Sequence, residues 1–350
     1  MKKYIIAIDG NRFFFTAASK AREDAEAIAL KCGYERFPFT GERTANRNPL
    51  AAVPLAATAL RNWRRLSRAA EPGSTVLLQY PHYPLKTAVL MRQMIPRIRK
   101  RKGIRFVFLV HDLNSLRGTF GRAAVYSDRR LLLEADAVIC HNESMKEVLI
   151  RWGIPAEKLV SLEIFDYLTD EPAPEHHARD GIAVAGNLDP AKCGYIGELV
   201  QARERSLPLH LYGKGLPEEL RKKNVFPHGA FPADVLPGKL EGGFGLVWDG
   251  PEITSCTGKM GEYLRYNNPH KLSLYLASGL PVIIWKEAAE AKFVEENGIG
   301  LAVSSLEEAE KLIDEISEET YREMALRARK TGEGIRKGAR LEAALQKTEA

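Results

Sequence analysis

The stretch YNNPHKLSLYLASGLPVII, residues 266–284, sets a cation and an imidazole at the mouth of an apolar helix. Asn268 reads as the N-cap, Pro269 suits the first helical position because its missing N–H needs no partner there, and His270 and Lys271 complete the first turn. A helix start offers unbonded N–H groups and the positive end of the backbone dipole, so a lysine beside it makes an anion site suited to a diphosphate. The plain alternative is a surface lysine, but the buried-looking remainder Leu272, Leu274, Tyr275 and Leu276 argues against it. His270 either caps and packs or donates to a phosphate oxygen. Ser278-Gly279 and Pro281 stop the helix before a strand.

A second phosphate candidate is GIAVAGNLDPAKCGY, residues 181–195, where a strand runs into Gly186-Asn187 and a turn carries Lys192 into a helix. It lacks the three spaced glycines of a dinucleotide loop, which counts against a nicotinamide-dependent oxidoreductase. Tyr212 in LHLYGKG and Trp248 in GGFGLVWDG stand at strand ends, where a flat ring would stack on a base or simply fill the core. In IRFVFLVHDLNSLRG, His111 and Asp112 directly follow an apolar strand, and His82 does the same after VLLQY. Any of these at a strand end can take a proton from an attacking hydroxyl, a contribution of about 10² to 10⁴ in rate.

The run RQMIPRIRKRKGIR gathers Arg97, Arg99, Lys100, Arg101 and Lys102 at the end of a helix whose apolar side carries Met91, Met94, Ile95 and Ile98. Peripheral contact with an anionic membrane is the expectation. Nucleic acid is not, since no recognition motif or basic-aromatic interleaving accompanies the charge. The imbalance is regional: residues 1 to 165 hold 28 Lys and Arg against 15 Asp and Glu, whereas residues 166 to 350 hold 23 against 30. A basic half facing an acidic half suggests that the two meet different partners.

These groups must be held by a chain of 350 residues, long enough for two domains at roughly 100 to 200 residues each. KYIIAI, STVLLQY, IRFVFLV, AVIC and KLVSLE alternate with helical stretches, and the alternation restarts with GIAVAG, PLHLYG, FGLVW, PVIIW and IGLAV. Helices expected between them include Lys286 to Glu296 and Leu306 to Ile316. Such alternation predicts an α/β protein with a parallel sheet in each of two domains, facing each other across a groove. The boundaries read as 1–166, 167–326 and a charged helical tail at 327–350 that packs back on the first domain. Asp170 to Asp180, rich in proline and charge, reads as the crossing. Cys32, Cys140, Cys193 and Cys256 are scattered, so neither a zinc cluster nor a disulfide framework is indicated. MKKYIIAIDG has too short an apolar run for a signal peptide or a membrane span, so a cytoplasmic location is expected.

Taken together, HDLNSLRG, EADAVICHNESMKEVLIRWGIPAEKLV, the Gly186-Asn187 loop, GGFGLVW and YNNPHKLSLYLASGLPVII resemble the GT-B glycosyltransferases. Within them, the match is to bacterial galactofuranosyltransferase-like proteins and to the glucosyltransferases that extend glycans on serine-rich-repeat adhesins. The resemblance implies two Rossmann-like domains, with Lys192 and Lys271 at the diphosphate of a nucleotide sugar and Asn187, Tyr212 and Asn268 nearby. It places His111 and Asp112 on the acceptor side, where His82, by its own position after a strand, is expected too. No DxD motif is present, so a metal for the diphosphate and a separate cofactor are not expected. Many retaining GT-B enzymes carry a Glu where Leu274 stands; Glu287 and Glu295 have the family's spacing but follow the next strand, which favours an inverting displacement.

The function expected is transfer of a hexose, glucosyl or galactofuranosyl, from a UDP-sugar to a glycan on a lipid or protein carrier. The alternative is a catalytically silent GT-B subunit that binds a glycan or a partner protein. Self-association into a homo-oligomer is left open.

Overall fold

The computed structural model describes residues 1–8, 17–40, 52–81, 88–118, 121–175, 179–201 and 207–349. His82 lies outside them. The chain divides into two compact units, one of Met1–Phe13, Arg22–Leu162 and Leu341–Ala350, the other of Phe14–Ala21 and Glu163–Arg340.

In the first unit β1 (Lys3–Ile8), β2 (Glu35–Phe39), β3 (Thr75–Tyr80), β4 (Arg105–Val110), β5 (Ala137–Cys140) and β6 (Leu159–Ser161) form one sheet in the order β2-β1-β3-β4-β5-β6. All pairings are parallel. The central segments TVLLQY and RFVFLV are apolar almost throughout and nearly all buried, as expected of strands covered by helices on both faces. The helix Ala52–Ala69 sends Trp63 into this core against Phe39, with ring centroids 5.4 Å apart.

The second unit repeats the logic with β7 (Ile182–Asn187), β8 (Leu209–Lys214), β9 (Val225–Gly229), β10 (Phe244–Val247), β11 (Val282–Trp285) and β12 (Gly300–Val303). Its order is β12-β11-β10-β7-β8-β9, again all parallel. From β7 the chain builds outward to β8 and β9, then returns to the other side of β7 for β10. That reversal opens a crevice at the carboxyl ends of β7 and β10, where ligands bind in sheets of this kind.

Two strands are not legible as alternating apolar runs, and both lie on sheet edges. ERFPF contains Pro38 and VFPHG contains Pro227; proline cannot donate to a ladder and is tolerated where one side of a strand is unpaired. The expected helix from Lys286 begins only at Ala291. The four cysteines are free, and burial pushes each thiol up, Cys140 to about 12, so none is primed as a nucleophile.

Candidate functional site

The crevice of the second unit is held open by a tyrosine. Pairing between β7 and β10 covers Ile182 with Phe244 and Ala183 with Gly245. Two residues on, the Ala185 N–H donates to the Tyr275 hydroxyl at 2.9 Å. Tyr275 comes from the helix His270–Ala277, and its ring lies over Gly245, where an added Cβ would fall 2.1 Å from the ring carbon Cγ. Any side chain at 245 would therefore lift the helix off the sheet.

Lys271 lies one turn before Tyr275 on the same helix face, and its side chain passes into the same split. A Cβ built on Gly186, the penultimate residue of β7, would be 3.8 Å from Lys271 Cε. The Lys271 ammonium donates to the Trp248 carbonyl at 3.0 Å and to Asp249 Oδ1 at 2.9 Å, both just past the end of β10. Lysine and aspartate side chains are only 13% and 11% exposed. Burial disfavours the ammonium, but the charge of Asp249, with the contributions of Cys193 and Tyr275 and the hydrogen bond to Asp249, together outweigh it and hold the lysine above its ordinary value.

The loops around this cation depend on close backbone approach. Gly186 pairs with Gly213 and Asn187 with Lys214. Gly213 has φ 155, and a Cβ there would come within 1.8 Å of the Gly186 carbonyl oxygen; Gly215, φ 96, faces the Asp189 N–H at 2.9 Å in the same construction. Gly186 and Asn187 are exposed, and Asn187 Oδ1 accepts from the Asp189 N–H at 3.1 Å. Lys192 sits half-buried on the short helix Pro190–Cys193, which Asp189 caps. The structure thus gathers Gly186, Asn187 and Lys271 around one strand end.

Four expectations need correction. The N-cap of the helix is Pro269, not Asn268, so His270 and Lys271 stand at the first and second positions, and Asn268 is buried before them. His270 packs at 5.0 Å between ring centroids from Tyr167, and burial, followed by the nearby Lys20 cation, pushes its imidazole down to about 3. It is neutral at physiological pH and adds no charge to an anion site. Tyr212 is buried, its ring stacked on His228 and its hydroxyl donating to the Lys239 carbonyl while accepting from the Glu241 N–H. Trp248 is likewise core, its Nε1–H spent on the Glu252 carbonyl, and contributes its backbone oxygen rather than its ring. Flatness at a strand end signalled packing.

In the first unit His111 and Asp112 follow β4 as expected but are not equivalent. The Gln79 amide donates through Nε2 to the Arg22 carbonyl, which turns its Oε1 toward His111 Nε2 at 2.7 Å. A carbonyl oxygen only accepts, so Nε2 carries the proton and Nδ1 is the basic nitrogen. Asp112 instead pairs with Arg117 at 3.1 Å. The basic helix Ala88–Lys102 turns Met91, Ile95 and Ile98 into the core, so its apolar side is not offered to a membrane. Arg99 is held by Asp136 and Lys102 by the carbonyls of Arg68 and Ala70, leaving Arg97, Lys100 and Arg101 exposed.

Asp249, Tyr275, Gly245 and Gln79 were not singled out by motif. Asp249 had the best signal, an acid directly after an apolar strand in FGLVWDG.

Residues 182–348 match the family model described as glucosyltransferase 3-like, C-terminal domain, and residues 2–164 the corresponding N-terminal domain. The chain is 35% identical over 243 residues to beta-1,6-galactofuranosyltransferase WbbI of Escherichia coli (strain K12), covering 67% of this chain and 68% of that protein. It is 27% identical over 271 residues to glucosyltransferase 3 of Streptococcus parasanguinis, covering 76% of each. Among solved structures, that of Anabaena Alr3699/HepE in complex with UDP superposes with a TM-score of 0.63 at 14% identity, over 100% of this chain and 99% of that one. At that identity the likeness speaks to the fold alone, which is GT-B.

Proposed function

Because the chain belongs to the glucosyltransferase 3-like family of glycosyltransferases, we propose that it transfers a hexosyl group from a UDP-sugar whose diphosphate is bound at the carboxyl end of β7. The observation that carries this is Lys271, a buried ammonium paired with Asp249 at the point where the strand order of the second unit reverses. Bound diphosphate takes over the ammonium hydrogens that Asp249 and the Trp248 carbonyl hold in its absence. The N–H groups of the helix start and the exposed Gly186-Asn187 backbone lie beside it.

In the reaction the bond between the anomeric carbon and the diphosphate oxygen breaks, and an acceptor hydroxyl oxygen bonds to that carbon. Negative charge grows on the leaving UDP, and a fixed ammonium in a site of low water content stabilises it more than water would. His111 is the proposed base: Gln79 fixes the tautomer that leaves Nδ1 basic, although that nitrogen is shielded from solvent, whereas Asp112 is occupied by Arg117. With no DxD motif in the sequence, Lys271 supplies the charge for which other transferases use a metal. Leu274 has no carboxylate to offer the anomeric carbon and Glu287 is paired with Arg265, in keeping with inversion. The acceptor proposed is a glycan on a lipid or protein carrier in the cytoplasm, with Arg97, Lys100 and Arg101 drawing the chain to an anionic surface. Among the described residues no helix is long and apolar enough to cross a membrane.

A panel of UDP-hexoses with EDTA present tests the reading. We expect UDP to raise the melting temperature and one UDP-hexose to be hydrolysed slowly without acceptor. Tight glycan binding with no UDP-sugar turnover would instead make the chain a silent binding subunit.

A further inference from the structure

At the other end of the second sheet, two histidines and a glutamate converge. His210 is the second residue of β8, and a Cβ on Gly181 or Gly242, each just ahead of its own strand, would lie 3.2 Å or 3.4 Å from its ring. His228 lies on the edge strand β9 at a register shift: Leu211 pairs with Pro227, but Tyr212 pairs with Gly229, so His228 is the extra residue of a bulge. Bulges re-aim a side chain, and here the ring turns onto its neighbours.

The geometry points to a binding site for a divalent transition-metal ion of the zinc class, formed by His210, His228 and Glu241. His210 Nδ1 and His228 Nε2 stand 3.1 Å apart, and Glu241 Oε2 is 3.6 Å from His210 Nδ1. One ligand atom from each of the three lies within 4.8 Å of the others. Two nitrogens bound to zinc at about 2.1 Å with tetrahedral angles stand roughly 3.4 Å apart, so the rings, hydrogen-bonded to each other as they stand, need to part only slightly and turn to admit the ion. Two imidazoles and one carboxylate are the donor set that such ions prefer, while Mg²⁺ and Ca²⁺ take oxygen ligands.

The ligands are also held in place from behind. His210 stacks on Phe226 at 5.3 Å and 18°, and His228 on Tyr212 at 4.5 Å and 6°. The Tyr212 hydroxyl fixes the turn that carries Glu241 by accepting its N–H at 2.9 Å. That explains why a tyrosine expected to face a nucleotide is committed to the core. Glu241 is 62% exposed, which leaves an open side for water as a further ligand. The site is independent of Lys271 and of the reaction, and it ties the edge strand to the turn before β10.

The test uses untagged full-length protein stripped with EDTA and titrated with Co²⁺ alone. We expect one equivalent to give the visible absorption of tetrahedral cobalt, Zn²⁺ to abolish it, and Zn²⁺ but not Mg²⁺ to raise the melting temperature. Glu241→Gln and His228→Asn should each weaken binding by at least about tenfold. Glu241→Gln changes an exposed side chain, so its melting temperature in EDTA should match the wild type. Absence of saturable binding at one equivalent, or equal binding by wild type and both variants, would overturn the proposal.

Discussion

Lys271 Nζ and Asp249 Oδ1 are 2.9 Å apart at the strand-order reversal of the second unit, each side chain nearly shut off from water. Breaking a buried pair from one side leaves a charge without its partner, at a cost of about 3–5 kcal/mol. Lys271→Met should therefore both destabilise the protein and abolish UDP binding, while Lys222→Ala, on the exposed surface, should do neither. Adding Asp249→Asn to Lys271→Met should recover much of the stability and none of the binding. In Asp249→Asn alone, UDP should raise the melting temperature more than in the wild type, because diphosphate then supplies the missing counter-charge. Scanning calorimetry with and without UDP reads all four variants, and UDP binding by Lys271→Met at wild-type strength would move the donor site elsewhere.

In the proposed reaction Gln79 acts through His111, since its amide decides which imidazole nitrogen keeps the proton. His111→Ala should lower turnover by about 10² or more with UDP affinity unchanged. Gln79→Leu should lower turnover less, because the ring stays in place but the tautomer is no longer imposed. Steady-state rates across pH 5–9 separate the two effects; a normal rate in His111→Ala would remove it as the base.

Only three of the five clustered cations on the helix Ala88–Lys102 are left for a partner, and among its described residues no exposed apolar face accompanies them. Binding to vesicles rich in anionic lipid should accordingly be purely electrostatic and vanish when salt rises from about 50 mM to 500 mM, where the Debye length falls to a few ångströms. Arg97→Glu combined with Arg101→Glu should abolish it. Co-sedimentation that survives high salt would point to an apolar contact instead.

His141 is fully buried after β5, and burial pushes its imidazole down to about 3, as it does for His270. An unfolded histidine titrates near 6.5, so between these values the unfolded chain binds protons that the native one refuses. Stability from both residues is complete above about pH 6.5 and is lost as pH falls toward 3, at about 1.4 kcal/mol per pH unit for His141 within that window. Urea midpoints at pH 7.5 and 5.0 should differ accordingly, with the gap narrowed in His270→Gln. Equal midpoints in the wild type would show that these rings accept protons when folded.

The sequence alone determined the parallel α/β architecture and the helix that carries Lys271 in its first turn, because a buried parallel strand must be apolar throughout and a helix start must have its signals within a few residues. Gly186-Asn187, Lys271 and the pair His111-Asp112 were visible for the same local reason. What only the tertiary structure decided lies in contacts between residues far apart in the chain. Tyr275 reaches Ala185, Asp249 neutralises Lys271, Gln79 chooses the tautomer of His111, and His228 turns from a bulge toward His210. A side chain's charge and size are written at its own position, but its partner, and with it the availability of its proton or its ring, is set by packing. That is why Tyr212 and Trp248 read as platforms for a ligand and proved to be core, and why a helix with an apolar side and a basic end kept the first for its own sheet and only part of the second for the solvent.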